Sequence, residues 1–125
     1  MIVLDASALI AFLLGERGGD AVAECLDQAC ISTVNLSEVL ATAAERGGDP
    51  QALLREIART PIDCIPLSVR VALGAAQLRP LTKSFGLSTG DRMCLALAED
   101  IGAEAWTTDR RWGELKLDIA VRVLR

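Results

Sequence analysis

Met1-Ile-Val-Leu-Asp-Ala-Ser-Ala-Leu-Ile-Ala-Phe12 is the stretch that decides the fold. The apolar run Ile2-Val3-Leu4 stops at a carboxylate, Asp5, and after Ser7 a second apolar run continues to Leu14. The first run predicts a buried β-strand and the second a helix packed on it. Asp5 then sits where a strand ends and a helix starts. In an open parallel α/β sheet, ligands bind outside the carboxyl ends of the strands.

The same alternation continues along the chain. Asp20 to Ala29 is expected to be a helix, with Val22, Leu26 and Ala29 on one face. Cys30 to Thr33 is a short strand, and Val34 to Glu45 a helix closed by Gly47-Gly48. Pro50 opens a helix that runs to Arg59, Ile62 to Leu67 is the third strand, and Ser68 caps a helix reaching about Leu78. Arg79 to Leu87, with Pro80 and Gly86, is expected as a loop. Ser88 starts a regular helix that ends near Gly102, and Glu104 to Thr107 is the fourth strand. A short helix, Arg110 to Leu115, and a closing strand, Ile119 to Leu124, complete the chain. Short buried strands alternating with helices predict an α/β fold: one domain, 1–125, with a central, mainly parallel sheet of four to five strands flanked by helices.

Composition narrows the chemistry. The chain has 125 residues, 51% of them hydrophobic, enough for an ordinary core. No apolar run approaches the roughly 18 residues that span a bilayer. Met1 adjoins the first strand, so a cytoplasmic protein without a membrane partner is expected. The four cysteines form no C-x-x-C pair and are expected as free thiols. The chain contains no histidine, which excludes Ser-His-Asp and Cys-His catalysis and leaves acid–base work to carboxylates, lysine or metal-bound water. Net charge is −4, against binding nucleic acid through bulk positive charge. Arginine supplies most of the basic residues, which suits bidentate phosphate contacts, though a GC-rich genome produces the same bias.

Four carboxylates occupy equivalent places. Asp5 follows strand one, Glu38 lies one turn into the helix after strand two, Asp91 is in the first turn of its helix, and Asp109 follows strand four. In a parallel sheet all four fall on one edge. Each also has a plainer account. Asn35-x-x-Glu38 has the form of a capping box, Ser88-x-x-Asp91 of a weaker one, and Asp5 and Asp109 of N-caps. Clustered carboxylates repel one another, and a cation removes that repulsion. A set of oxygen ligands alone selects Mg²⁺ or Mn²⁺, which suits phosphodiester hydrolysis by metal-activated water.

Taken together, Asp5-Ala-Ser-Ala8, Asn35-x-x-Glu38, Gly90-Asp91 opening an Ala/Leu-rich helix, and Thr107-Thr-Asp109 resemble a PIN domain. The length and layout are similar to the VapC toxins of type II toxin–antitoxin systems, over essentially the whole chain. The resemblance implies a Mg²⁺- or Mn²⁺-dependent endoribonuclease whose acidic quartet is Asp5, Glu38, Asp91 and Asp109, with Ser7 and Thr107 as supporting polar residues. It also implies an RNA substrate, a cognate VapB-like antitoxin and a homodimer. Many relatives carry a further acidic residue after the last motif; here Arg110, Arg111 and Trp112 stand there, which makes a second metal less secure. Arg92, Arg110 and Arg111 lie beside the expected site as candidates for RNA-phosphate contacts, or as plain surface arginines. Leu9, Phe12 and Leu13 are candidates for an antitoxin groove, or for the core. The alternative to the nuclease is a catalytically silent α/β binding module whose acidic residues only cap helices. A phosphatase forming an aspartyl-phosphate on Asp5 is disfavoured, because Ser7 stands where its second Asp belongs.

Overall fold

The computed structural model describes residues 1–125. Five strands form one sheet in the order β3-β2-β1-β4-β5, and every pairing is parallel. They are β1 (Ile2–Leu4), β2 (Ala29–Ser32), β3 (Asp63–Ile65), β4 (Glu104–Thr107) and β5 (Val121–Val123). The helices are α1 (Ala6–Leu14), α2 (Gly19–Ala23), α3 (Thr33–Glu45), α4 (Pro50–Ala58), α5 (Val69–Thr82) and α6 (Thr89–Ile101).

The period-two alternation of β1 divides the core in two. Val3 points to one face, where it packs with Cys30, Ala105, Trp112 and the inner sides of α5 and α6. Ile2 and Leu4 point to the other, against α1, Val22, Leu36, Val39, Ile57 and Trp106. Helices cover both faces, which is why the central strands are buried along their whole length. From β1 the chain winds outward to β2 and β3 on one side, and β4 and β5 lie on the other. The junction of β1 and β4 is therefore the topological switch point, where an open parallel sheet leaves a crevice.

Four expected elements differ, the third strand among them: expected over Ile62 to Leu67, it is only Asp63–Ile65. The helix expected over Asp20 to Ala29 ends at Ala23: Cys25 leaves the helical region, Leu26–Gln28 is a 3₁₀ turn, and Ala29 pairs with Ile2 in the sheet. The loop expected over Arg79 to Leu87 is instead the last turn of α5 followed by the 3₁₀ turn Lys83–Phe85. Pro80 sits inside α5 and removes one backbone bond. The buried stripe Val71, Ala75, Leu78 and Thr82 nevertheless carries the helix past it, and Thr82 Oγ1 bonds the Leu78 carbonyl at 2.9 Å. The closing strand shrinks to Val121–Val123.

The four cysteines are free, Cys30 and Cys94 fully buried. No helix is long and apolar enough to cross a membrane.

Candidate metal centre

Asp5 is the N-cap of α1 and is 4% exposed. Its backbone N–H reaches the Trp106 carbonyl at 3.0 Å and so extends the β1–β4 ladder by one step. A cap needs one side-chain bond; Asp5 accepts three. Oδ1 takes Ser7 Oγ–H at 2.7 Å and the Ala8 N–H at 2.8 Å, and Oδ2 takes Thr107 Oγ1–H at 2.5 Å. Burial pushes its pKa up to about 6, against those hydrogen bonds, and the charge of Asp91 adds to the rise.

Ser7 and Thr107 link the ends of β1 and β4. Ser7 Oγ accepts the Thr108 N–H at 2.9 Å, and Thr107 Oγ1, fully buried, accepts the Asp109 N–H at 3.0 Å. One hydroxyl thus holds the Asp5 carboxylate and also orients the segment that carries Asp109.

Glu38 is half-buried on α3, and its pKa is raised by that burial and by Asp91, while Asn35 opposes the shift. The Asn35-x-x-Glu38 pattern is not a capping box. Ser32 caps α3 by accepting the Val34 N–H at 3.1 Å, which leaves Asn35 inside the helix. The fully buried Asn35 donates Nδ2–H to Glu38 Oε2 at 3.3 Å and to the Gly90 carbonyl at 3.0 Å. It therefore staples α3 to the start of α6. Its Oδ1 is buried without a partner. Gly90 leaves room for this contact: a Cβ there would displace the Glu38 carboxyl group.

Asp91 is the third residue of α6. It forms a full capping box: its N–H donates to Ser88 Oγ at 3.1 Å and its Oδ2 accepts the Ser88 N–H at 2.9 Å. Asp109 caps the 3₁₀ turn Arg110–Glu114, and a forked contact with Arg111 holds its carboxyl below the usual range.

Arg92 is not at the surface. It is 8% exposed, with Nη1 on the Ala75 carbonyl and Nη2 on Thr89 Oγ1, each at 3.2 Å. One residue beyond Asp91 the helix has turned by about 100°, which aims this side chain at α5 instead of the crevice. Arg110 and Arg111 are exposed. Trp112 is buried in the core, and so is Leu9. Of the three residues nominated for an apolar groove, Leu13 lines one, between α1, α3 and α4, together with Ile10, Leu14, Val39 and Leu53.

No three acidic or thiol side chains are drawn together tightly enough to cage a cation by themselves. Mg²⁺ does not require that: it keeps several waters and takes one or two carboxylates. The nominated residues offer carboxylate oxygens, Asp91 acts electrostatically on both Asp5 and Glu38, and burial penalises a bare charge on Asp5. The donor set fits a hard divalent cation.

Asn35 was legible as part of a motif but not in its role. Its partner, Gly90, lies 55 residues away, and the local pattern is that of a cap.

The PIN domain model matches residues 2–117. No curated protein is significantly similar to the chain. Solved structures of similar fold include VapBC2 from Rickettsia felis bound to a promoter DNA fragment, at 16% identity, TM-score 0.78 and full coverage of both chains. A toxin–antitoxin complex from Klebsiella pneumoniae is 23% identical, with 87% of each chain covered and a TM-score of 0.70. VapC20 of Mycobacterium tuberculosis, described as a sarcin–ricin loop cleaving toxin, is 15% identical over 96% of this chain and 99% of that one, at TM-score 0.71. With the family model spanning nearly its whole length and this sheet order beneath it, the chain belongs to the PIN domain family.

Proposed function

We propose that the protein is a divalent-metal-dependent endoribonuclease, the toxin of a VapBC-type pair, with Asp5, Glu38, Asp91 and Asp109 as its acidic cluster. One observation carries the proposal: a carboxylate buried at the switch point, held by three hydrogen bonds, with a pKa of about 6. Bound Mg²⁺ or Mn²⁺ would supply an activated water and offset charge on the phosphoryl oxygens. Asp5 and Asp91 are the proposed direct ligands. Glu38, with Oε2 on Asn35 and a raised pKa, is suited to accept a proton from the attacking water at Oε1. Asp109 completes the charge of the cluster. Ser7 and Thr107 hold Asp5 in one orientation, so that no reorganisation is needed when substrate arrives. Arg110 is the exposed candidate for a phosphate contact.

The similar structures described as toxin–antitoxin complexes support a VapB-like antitoxin as partner. An RNA substrate, a homodimer and a cytoplasmic site of action belong to the same proposal.

The binding-module alternative has one observation in its favour: Asp5, Asp91 and Asp109 all do cap helical turns. Asp5→Ser separates the two. Serine still caps α1 but cannot ligate a metal ion in the same way. Loss of Mn²⁺-dependent RNA cleavage with the fold intact supports the nuclease; retained cleavage would sink it.

A further inference from the structure

Arg111, though half exposed, commits almost all of its donors to Asp109 and to the backbone of Phe85 and Gly86. Its Nε–H is shared between Oδ1 and Oδ2 of Asp109 at 3.1 and 3.0 Å, and Nη2 donates to Oδ2 at 2.6 Å. Nη1 donates to the carbonyls of Phe85 at 3.0 Å and Gly86 at 3.4 Å. The Arg111 backbone N–H adds a bond to Oδ1 at 3.0 Å. A guanidinium has five N–H groups, so only one, on Nη2, is left for anything else. Gly86 is shaped to this contact: its φ is +68°, and a Cβ there would stand 3.0 Å from Nη1. The Phe85–Gly86 segment leads directly into Ser88 and Asp91. Arg111 therefore ties the segment after β4 to the start of α6.

Both oxygens of Asp109 are thus taken by a cation already in the chain. Four ionised carboxylates with Arg111 leave three net negative charges. One divalent cation leaves one negative charge, and a second would make the cluster positive beside a fixed guanidinium. We propose that Arg111 is a built-in counter-cation that withdraws Asp109 from metal ligation and limits the site to one divalent ion, with Asp5 and Asp91 as its direct ligands. The proposal rests on the metal-nuclease function above. It reassigns Arg111 from gripping RNA to positioning the cluster, and Asp109 from completing the charge of the cluster to anchoring Arg111.

The test is calorimetric titration of the full chain with MnCl₂ alone. The wild type, Asp109→Asn, Arg111→Gln, their double variant, Asp91→Asn and Asp5→Asn are compared. The expected results are one Mn²⁺ in the wild type, little change in Asp109→Asn, and affinity weaker by about tenfold or more in Asp91→Asn. Arg111→Gln frees Asp109 and binds a second Mn²⁺, and the double variant returns to one. Asp109→Asn weakening Mn²⁺ as much as Asp91→Asn would overturn the proposal, as would an Arg111→Gln protein that binds one ion with unchanged affinity. A wild type that binds no Mn²⁺ overturns the metal-nuclease function too. Binding lost in Asp5→Asn but untouched by Arg111→Gln overturns only the role of Arg111. Should Arg111→Gln fail to fold, the Asp109→Asn comparison decides alone.

Discussion

Thr107 Oγ1 donates to Oδ2 of Asp5 at 2.5 Å, across 102 residues of sequence. The same oxygen accepts the Asp109 N–H at 3.0 Å. Replacing Thr107 by Val keeps the shape and removes both bonds. Asp5 then loses one of the interactions that oppose its raised pKa, and the part-buried Asp109 N–H loses its acceptor. The expected outcome is a loss of about 1–3 kcal/mol in urea unfolding and a pH–activity profile whose acid limb moves to higher pH. An unmoved acid limb would show that Thr107 does not set the ionisation of Asp5.

Asp5→Asn should have opposite effects on stability and metal binding. The folded-state pKa of about 6 lies above the ordinary value of 3.8, so between them the native state keeps a proton that the unfolded chain has lost. Stability of the metal-free wild type therefore falls as pH rises through that window and is level above it. At two pKa units this is of order 3 kcal/mol. Asn carries no such penalty: its oxygen can accept Ser7 and Ala8, and its NH₂ can donate to Thr107. Metal-free Asp5→Asn should be the more stable protein at pH 7.5, with the difference closing towards pH 4. Mn²⁺ should raise the melting temperature of the wild type and not of the variant. A flat stability difference across that pH range would contradict the burial of an ionisable Asp5.

Gly90→Ala separates packing from function. Alanine is the better helix former by about 1 kcal/mol, and the group it would meet is the far end of the Glu38 side chain, which can swing away. Stability should change little, while RNA cleavage falls, because Glu38 leaves its place against Asn35. In a Glu38→Gln background the same substitution should have a much smaller effect on activity, a non-additivity that a double-mutant cycle reads directly. Additive losses would mean that Gly90 does not act through Glu38.

The parts of the fold that followed from local pattern were legible in the sequence. An apolar run ending at Asp5 and another ending at Thr107 mark the carboxyl ends of β1 and β4, where the first polar side chain follows the buried apolar residues. What was not legible depended on partners distant in sequence. Pro80 reads locally as a helix stop, yet the stripe from Val71 to Thr82 is buried and keeps the helix going. Ala29 suits a helix, but pairing with Ile2 draws it into the sheet. The paired state of Asp109 could not be read from the Arg110-Arg111 doublet, because the second arginine is fixed by carbonyls 25 and 26 residues away.

Arg92 and Arg110 make the sharpest contrast. Both are basic and close in sequence to the acidic cluster, but Arg92 is buried against Ala75 and Thr89, while Arg110 is exposed, with only its Nε on the Arg125 carbonyl at 3.3 Å. Arg92→Met removes one buried and one part-buried hydrogen bond of a charged donor, the first to the Ala75 carbonyl. It should lower stability by about 2–3 kcal/mol. Once folded, its RNA affinity should fall with rising salt at the wild-type slope, because a side chain that never meets phosphate releases no counterion. Arg110→Gln should unfold like the wild type, bind all RNA sequences more weakly, and lose about one unit of salt slope. Filter binding across a salt series, beside urea unfolding of the same preparations, reads both. A reduced salt slope in Arg92→Met, with wild-type stability, would place that guanidinium on the RNA after all.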